Sequence, residues 1–283
     1  MLEYFKLSQT NKYRLGWIIG IFVSFLLYYT GIFWIYNQLA KKIFKNNRIL
    51  VITYHRIRDD NIDRDISVSI KNFEKQMKYL ANNYNIISID DLLKNINRHK
   101  INFLDNIAIT FDDGFKDNYT NAYPILKKYR LPITIFLISG ILGKDSNMLS
   151  ISDIIEMKKH CINFGSHTRT HNILSNIGDN QLTEEISESK EYLENLINEK
   201  ILYFAYPQGK NHHFNTIVKS LVKNAGYKAA FTMENKTIDL NSDMFALPRI
   251  GIRNCPLFVF KVRVSGIYES KILLWIRELF GLT

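Results

Sequence analysis

Ile107-Ala108-Ile109-Thr110-Phe111-Asp112-Asp113-Gly114 is the stretch whose reading decides the fold. Five apolar or β-branched residues run without a polar alternation and then stop at two carboxylates and a glycine. A strand with one wet face would alternate; an unbroken apolar run implies burial on both faces, as in a parallel sheet covered by helices. Outward from it the same kind of run recurs at Ile49–Tyr54, Asn85–Ser88, Ile133–Ile138, Cys161–Gly165, Leu202–Tyr206, Lys228–Thr232 and Phe245–Ile250. Helical patterns fall between these runs. Ser69 caps one through Asn82, with Phe73, Met77 and Leu80 on one face, and Ser88 with Asp91 starts another. Asp117 is expected to cap a third, and further helices are expected at Ile151–Lys159, from Thr183 through Ile197, and at Thr216–Asn224. Strand–helix alternation of about seven units predicts an α/β fold, a distorted or incomplete (β/α) barrel of about seven strands. An open doubly wound sheet is the competing topology, weakened because no glycine-rich dinucleotide fingerprint follows any strand.

The chain has 283 residues, 46% of them hydrophobic, enough for one large core. A formal charge of +10, from 37 basic and 27 acidic residues, is spread along the sequence. No basic stripe interleaved with aromatics points to nucleic acid. Cys161 and Cys255 form neither a metal motif nor a disulfide framework.

Leu15 to Tyr36 carries no charge over 22 residues. As one helix it would reach about 33 Å, enough to cross a bilayer. Trp17 and Trp34 stand near its ends, where amphipathic rings favour the headgroup region. A signal peptide is the alternative, but Asn37-Gln38-Leu39-Ala40-Lys41-Lys42 is a poor cleavage site. The expected organisation is a basic tail over 1–14, a transmembrane helix over 15–36 and a basic linker over 37–48. The strand–helix domain follows over 49–254, then a C-terminal extension over 255–283 with an amphipathic helix (Ile272, Leu273, Trp275, Ile276, Leu279) that docks on the barrel or lies on a membrane. Membrane lipid is therefore an expected partner. Basic residues flank the apolar run three before (Lys6, Lys12, Arg14) and four after (Lys41, Lys42, Lys45, Arg48), a balance that decides no orientation.

Three clusters fall at C-terminal ends of expected strands, the face where such barrels build active sites. In the first, Asp112 and Asp113 are adjacent carboxylates that need a positive partner. In the second, His167 and His171 stand at i and i+4 and can share one metal across a helical turn. The third, Phe204-Ala205-Tyr206-Pro207-Gln208-Gly209, turns rigidly and exposes backbone N–H groups that can stabilise an oxyanion. Together they suggest a site in which Asp113, His167 and His171 ligate a divalent metal, with positions left for water and substrate. Asp112 is then placed to take a proton from that water, and Tyr206, Pro207 and Gln208 line the oxyanion and substrate side.

These motifs, in this order over about Ile49 to Gly251, resemble the polysaccharide deacetylase family, the NodB-homology group. The resemblance implies a distorted β/α barrel, a divalent metal that is usually zinc, and removal of N-acetyl groups from an N-acetylated glycan. Many members carry an arginine in the third motif; here it reads FAYPQG, similar to the FAYPYG branch that includes poly-N-acetylglucosamine deacetylases. Arg249 is the candidate to orient Asp112 instead. The late Leu-x-His motif is also missing, since no histidine follows His213. In the branch resembled, an early histidine supplies the general acid, and His55, in Tyr54-His55-Arg56 after the first expected strand, looks like that residue; a histidine that only hydrogen-bonds the strand end is the alternative. The expectation is a single-pass membrane enzyme with an extracytoplasmic catalytic domain; a cytoplasmic placement, acting on a lipid-linked precursor, is the alternative. A carbohydrate-binding protein that kept the fold and lost catalysis is the competing function.

Overall fold

The computed structural model describes residues 2–42, 49–60, 65–97, 106–160 and 162–269. The chain divides into two compact units, one of Asn47–Asn254 and one that joins Met1–Asn46 to Cys255–Thr283.

The larger unit is built on a parallel sheet. Its strands are β1 (Leu50–Tyr54), β2 (Asn85–Ile86), β3 (Asn106–Phe111), β4 (Ile133–Leu137), β5 (Ile162–Ser166), β6 (Tyr203–Ala205), β7 (Ala229–Phe231) and β8 (Ile250–Gly251). Seven follow one path, β8-β1-β3-β4-β5-β6-β7, and β2 adds to the side of β3. Every ladder is parallel. Strands β1 and β4 are buried at every residue, which is why the sequence reads there as unbroken apolar runs.

The path curls into an incomplete barrel. Leu247 forms a lone parallel bridge with Phe231, while Ile250 pairs with Ile52 of β1. One short segment therefore touches both ends of the path. The strand expected over Phe245–Ile250 shrinks to Ile250–Gly251 because Leu247 bonds to Ala230 and Thr232 and the next residue, Pro248, has no N–H to donate. Inside lies a cluster that includes Val51, Ala108, Phe136, Ala205, Phe231 and Leu247. Gly165 allows β5 to close on its neighbours, since a Cβ there would sit 2.6 Å from the Phe136 ring and 2.9 Å from the Tyr203 carbonyl oxygen.

Local signals set most helix starts. The Ser69 hydroxyl accepts the Asn72 N–H at 3.3 Å to open the helix Ile70–Asn83. Ser88 does the same for Asp91 at 3.1 Å, and Ser150 with Asp153 forms a reciprocal capping box before Ile151–Lys158. Two expectations are corrected. Asp117 is no cap: its carboxylate accepts from Arg56 Nε and the Ile57 N–H, each at 2.9 Å, and a π-helical turn, Asn118–Ala122, leads into the helix Tyr123–Tyr129. The helix expected from Thr183 starts earlier, at Asp179, where the Gln181 side chain accepts the Gly178 N–H. It then passes through a π-helical turn, Glu184–Glu188, into Ser189–Ile197.

The terminal unit corrects the expectation of one transmembrane helix over 15–36. Leu2–Tyr29 and Ile32–Lys42 are separate helices that meet at Gly31, whose φ of 82° ends the first one. Among the described residues no single helix is long and apolar enough to cross a membrane; Gly16–Tyr29 and Ile32–Leu39 pass that test only together, bent by 74°. Packing accompanies the break. Phe33 turns back beside Leu27 into a cluster with Val262 and Ile267. The helix Leu257–Val264 lays Phe258 against the rings of Phe25 and Tyr29, and the Tyr268 hydroxyl reaches Ser24 Oγ and the Gly20 carbonyl. In the C-terminal extension, Ile267 and Tyr268 thus pack on the N-terminal helix, while its expected amphipathic helix over 272–279 lies outside the described residues; of the linker expected over 37–48, residues 37–42 are helical and 43–48 lie outside the described residues. Phe22, Ile32, Trp34 and Ile35 remain about half exposed or more.

Candidate active site

Asp112 and Asp113 leave β3 where its ladder ends. The Asp112 N–H donates to the Tyr54 carbonyl, and the chain then turns through left-handed Asp113 (φ 69°) and Gly114 (φ 76°). Both carboxyl groups are buried. Gly114 suits this turn by its φ, and a Cβ there would lie 2.7 Å from Leu137 Cδ2, which would have to shift.

Arg249 reaches Asp112 from the segment before β8. Its Nη1 and Nη2 donate to the two carboxylate oxygens at 2.7 and 2.8 Å. The guanidinium is fully buried and held on every side. Nε donates to the Thr232 carbonyl, Nη1 also to the hydroxyls of Thr53 and Thr110, and the ring faces of Phe136 and Phe231 lie 5.2 and 5.9 Å away. Burial alone would raise the Asp112 carboxyl, but the Arg249 charge, with His167 and His55, outweighs it and holds the group well below the usual carboxylate range. His55, at the end of β1, sets its Nε2 3.9 Å from Asp112 Oδ2 and keeps a partly open face. Its carbonyl accepts the Asn118 side-chain amide at 2.7 Å.

Asp113 has the opposite environment. Burial pushes its carboxyl up to about 6; Asp112 adds to the rise, and His55 opposes it. Its Oδ1 is buried and makes no hydrogen bond. Across from that atom stand His171 Nε2 at 3.4 Å and His167 Nε2 at 3.5 Å. His167 donates through Nδ1 to the Ala205 carbonyl at 2.8 Å, so in the neutral ring its Nε2 is an acceptor. Burial drives its pKa down to about 3, which keeps it neutral; burial lowers His171 as well. Three acceptor atoms, all within 4.8 Å of one another, point at a common space. Converging lone pairs repel unless a cation sits among them. One carboxylate oxygen and two imidazole nitrogens suit a divalent ion such as zinc.

The structure thus brings Asp112, Asp113, His55, His167, His171 and Arg249 together. It corrects how the histidines meet. They do not share a helical turn; a loop with left-handed Thr168 (φ 68°) and His171 (φ 65°) sets the two rings edge to face, with centroids 4.9 Å apart. The third cluster divides its roles. The Tyr206 N–H is spent on the Phe231 carbonyl, and the Tyr206 hydroxyl on the Phe245 carbonyl, while its ring stacks on Phe214 at 4.1 Å. Pro207 has no N–H. Gln208, left-handed at φ 59°, carries a backbone N–H that has no hydrogen-bond partner among the described residues. Gly209 allows close contact with Met233, whose Sδ lies 3.8 Å from Arg249 Nη2.

Sequence reasoning did not single out Asn118 or Glu185. Both sit on π-helical turns and hold site loops from beneath. Glu185 looks like one of several helix-surface acids in the sequence, yet it is buried.

The model of the polysaccharide deacetylase family matches residues 104–230. The poly-beta-1,6-N-acetyl-D-glucosamine N-deacetylase of Staphylococcus aureus (strain MSSA476) is 30% identical over 262 residues, covering 83% of this chain and 89% of that one. Among solved structures, Streptococcus pyogenes deacetylase PplD in complex with acetate aligns with a TM-score of 0.68 at 26% identity, over 73% of this chain and 92% of its own. IcaB from Ammonifex degensii shares the fold, with a TM-score of 0.65 at 22% identity over 78% and 97% of the two chains. This chain, whose curled parallel sheet ends in paired aspartates at one strand and paired histidines at another, is matched at 30% identity along most of both sequences by the Staphylococcus aureus deacetylase, and so it belongs to the polysaccharide deacetylase family.

Proposed function

We propose that this protein is a metal-dependent hydrolase that removes N-acetyl groups from N-acetylhexosamine residues of a cell-surface polysaccharide or lipid-linked glycan. Poly-β-1,6-N-acetylglucosamine is the first substrate to test, because it is the polymer named for the Staphylococcus aureus relative. The observation that carries the reading is the buried, unbonded Oδ1 of Asp113 facing two imidazole nitrogens.

Asp113, His167 and His171 would hold the ion, zinc by the chemistry of the donors, and a bound ion would polarise the acetyl carbonyl and make water more acidic. The remaining steps belong to this chain's own groups. Asp112, kept ionised and aimed by Arg249, accepts the proton of the water that attacks the amide carbon. The Gln208 N–H donates to the carbonyl oxygen as negative charge develops on it. His55 delivers a proton from Nε2 to the nitrogen as the carbon–nitrogen bond breaks, leaving acetate and a free amine. Its ring is beside Asp112 and partly open, where a leaving group can reach it.

The exposed apolar residues of the N-terminal helices support membrane attachment, with Trp34 and Tyr29 at the bend. The proposal places the catalytic unit outside the cytoplasm, where a surface polysaccharide lies. Acetate release from β-1,6-linked N-acetylglucosamine oligosaccharides by the zinc-loaded protein tests the reading, with Asp112→Asn as control. Equal release by both proteins overturns it.

A further inference from the structure

The turn between the two histidines is held in a form its sequence does not favour. Thr168 and His171 are left-handed at φ 68° and 65°, and Thr168 is β-branched. Such a residue is strained and persists only where its surroundings over-determine it. Several bonds do this locally. His171 N–H donates to Thr168 Oγ1, and the Ser139 and Gly140 N–H groups take the carbonyls of Thr168 and Arg169.

The N–H groups of Arg169 and Thr170 go elsewhere. Both donate to Glu185 Oε2, at 2.8 and 2.9 Å. The other oxygen, Oε1, accepts the Thr170 hydroxyl and, at 3.4 Å, the Asn172 amide. One buried carboxylate thus gathers the middle of the loop. It belongs to the π-helical turn Glu184–Glu188, an irregularity that is uncommon and tends to mark functional positions. The next helix begins with Ser189, whose hydroxyl bonds to Ser166 Oγ at 2.8 Å; Ser166 Oγ in turn accepts the Thr168 N–H at 3.3 Å. The same wall therefore fixes the loop at its start as well as in its middle.

We propose that Glu185 is a positioning residue for the paired histidines: by clamping the backbone of Arg169 and Thr170 it fixes the separation at which both Nε2 atoms face Asp113, and so sets the affinity of the metal centre. The proposal rests on the metal reading of this site. Partners that orient metal ligands from behind typically contribute about 10–100-fold in affinity.

The test is a zinc titration of the metal-stripped full chain against a competing chelator, with cobalt substitution as a spectroscopic view of ligand geometry. Glu185→Ala removes every bond to the loop. It is expected to weaken zinc binding about 10–100-fold and to alter the cobalt d–d bands. Glu185→Gln keeps the size and one acceptor oxygen and is expected to fall between the two; it decides the matter if Glu185→Ala does not fold. A folded variant with reduced thermal stability but wild-type zinc affinity and cobalt spectrum overturns the proposal, because it reduces Glu185 to a structural prop. A wild-type chain that takes up no zinc overturns the metal reading itself, and the two failures are told apart by that control.

Discussion

Arg249 sets its two terminal nitrogens on the two carboxylate oxygens of Asp112, 2.7 and 2.8 Å away, with both side chains almost wholly buried. Charges out of water are costly singly and tolerable as a well-bonded pair. Arg249→Ala strands a buried carboxylate and is expected to lose about 3–5 kcal/mol in denaturant unfolding. Arg249→Lys keeps a charge but not the planar fork. It is expected to fold, to keep its zinc, and to lose about 100-fold in kcat through a misaimed Asp112. Full turnover in the lysine variant contradicts the orienting role.

Asp113 gives a pH signature. Its carboxyl rises from an ordinary 3.8 to about 6 in the metal-stripped fold. An acid with a raised folded pKa costs stability as pH climbs between those two values, and the cost stays in full above the higher one. Metal-stripped Asp113→Asn should therefore be more stable than metal-stripped wild type at pH 7, by on the order of 1–3 kcal/mol. The gap should close toward pH 4. Added zinc should reverse the order, since only the wild type gains from binding. Thermal melts across pH, with and without zinc, check all three points.

His55 is read as the proton donor to the leaving amine. His55→Ala is expected to lower kcat by about 10²–10⁴ while zinc content stays that of wild type. Steady-state kinetics beside elemental analysis reads both. Loss of zinc together with loss of rate would place His55 in the metal centre instead.

The two chain ends form one unit, so trimming one end should be worse than trimming both. Removing residues 1–46 alone uncovers Val262 and Ile267, which pack against Leu27 and Phe33. That truncation is expected to aggregate without detergent. A chain limited to 47–254 is expected to be soluble and folded. Size-exclusion chromatography of the two separates the outcomes.

Much of the barrel is legible in the sequence because burial on both faces leaves a plain trace, as in Ile133–Leu137. The acidic strand end at Asp112-Asp113-Gly114 is legible for a related reason: two carboxylates closing an apolar run have few structural excuses. Arg249 emerged from the absence of an arginine in the third motif, and its burial could not be read from Leu247-Pro248-Arg249-Ile250. Other features were hidden by tertiary override. Left-handed Asp113, Thr168, His171 and Gln208 contradict the preference of that conformation for glycine, and only the packed surroundings hold them there. Glu185 and Asn118 depend on π-helical turns, which have no periodic signature. The bend at Gly31 is masked by an uncharged run that continues through it, and the packing that accompanies it joins Phe33 to Val262, far away in sequence.

The most direct measurement is the metal content of the purified full-length protein by elemental analysis, compared with His167→Ala. The account predicts about one zinc per wild-type chain, in keeping with a three-ligand catalytic site, and little or none in the variant. A wild-type chain that carries no divalent metal after zinc loading, or a variant that carries as much, would contradict it.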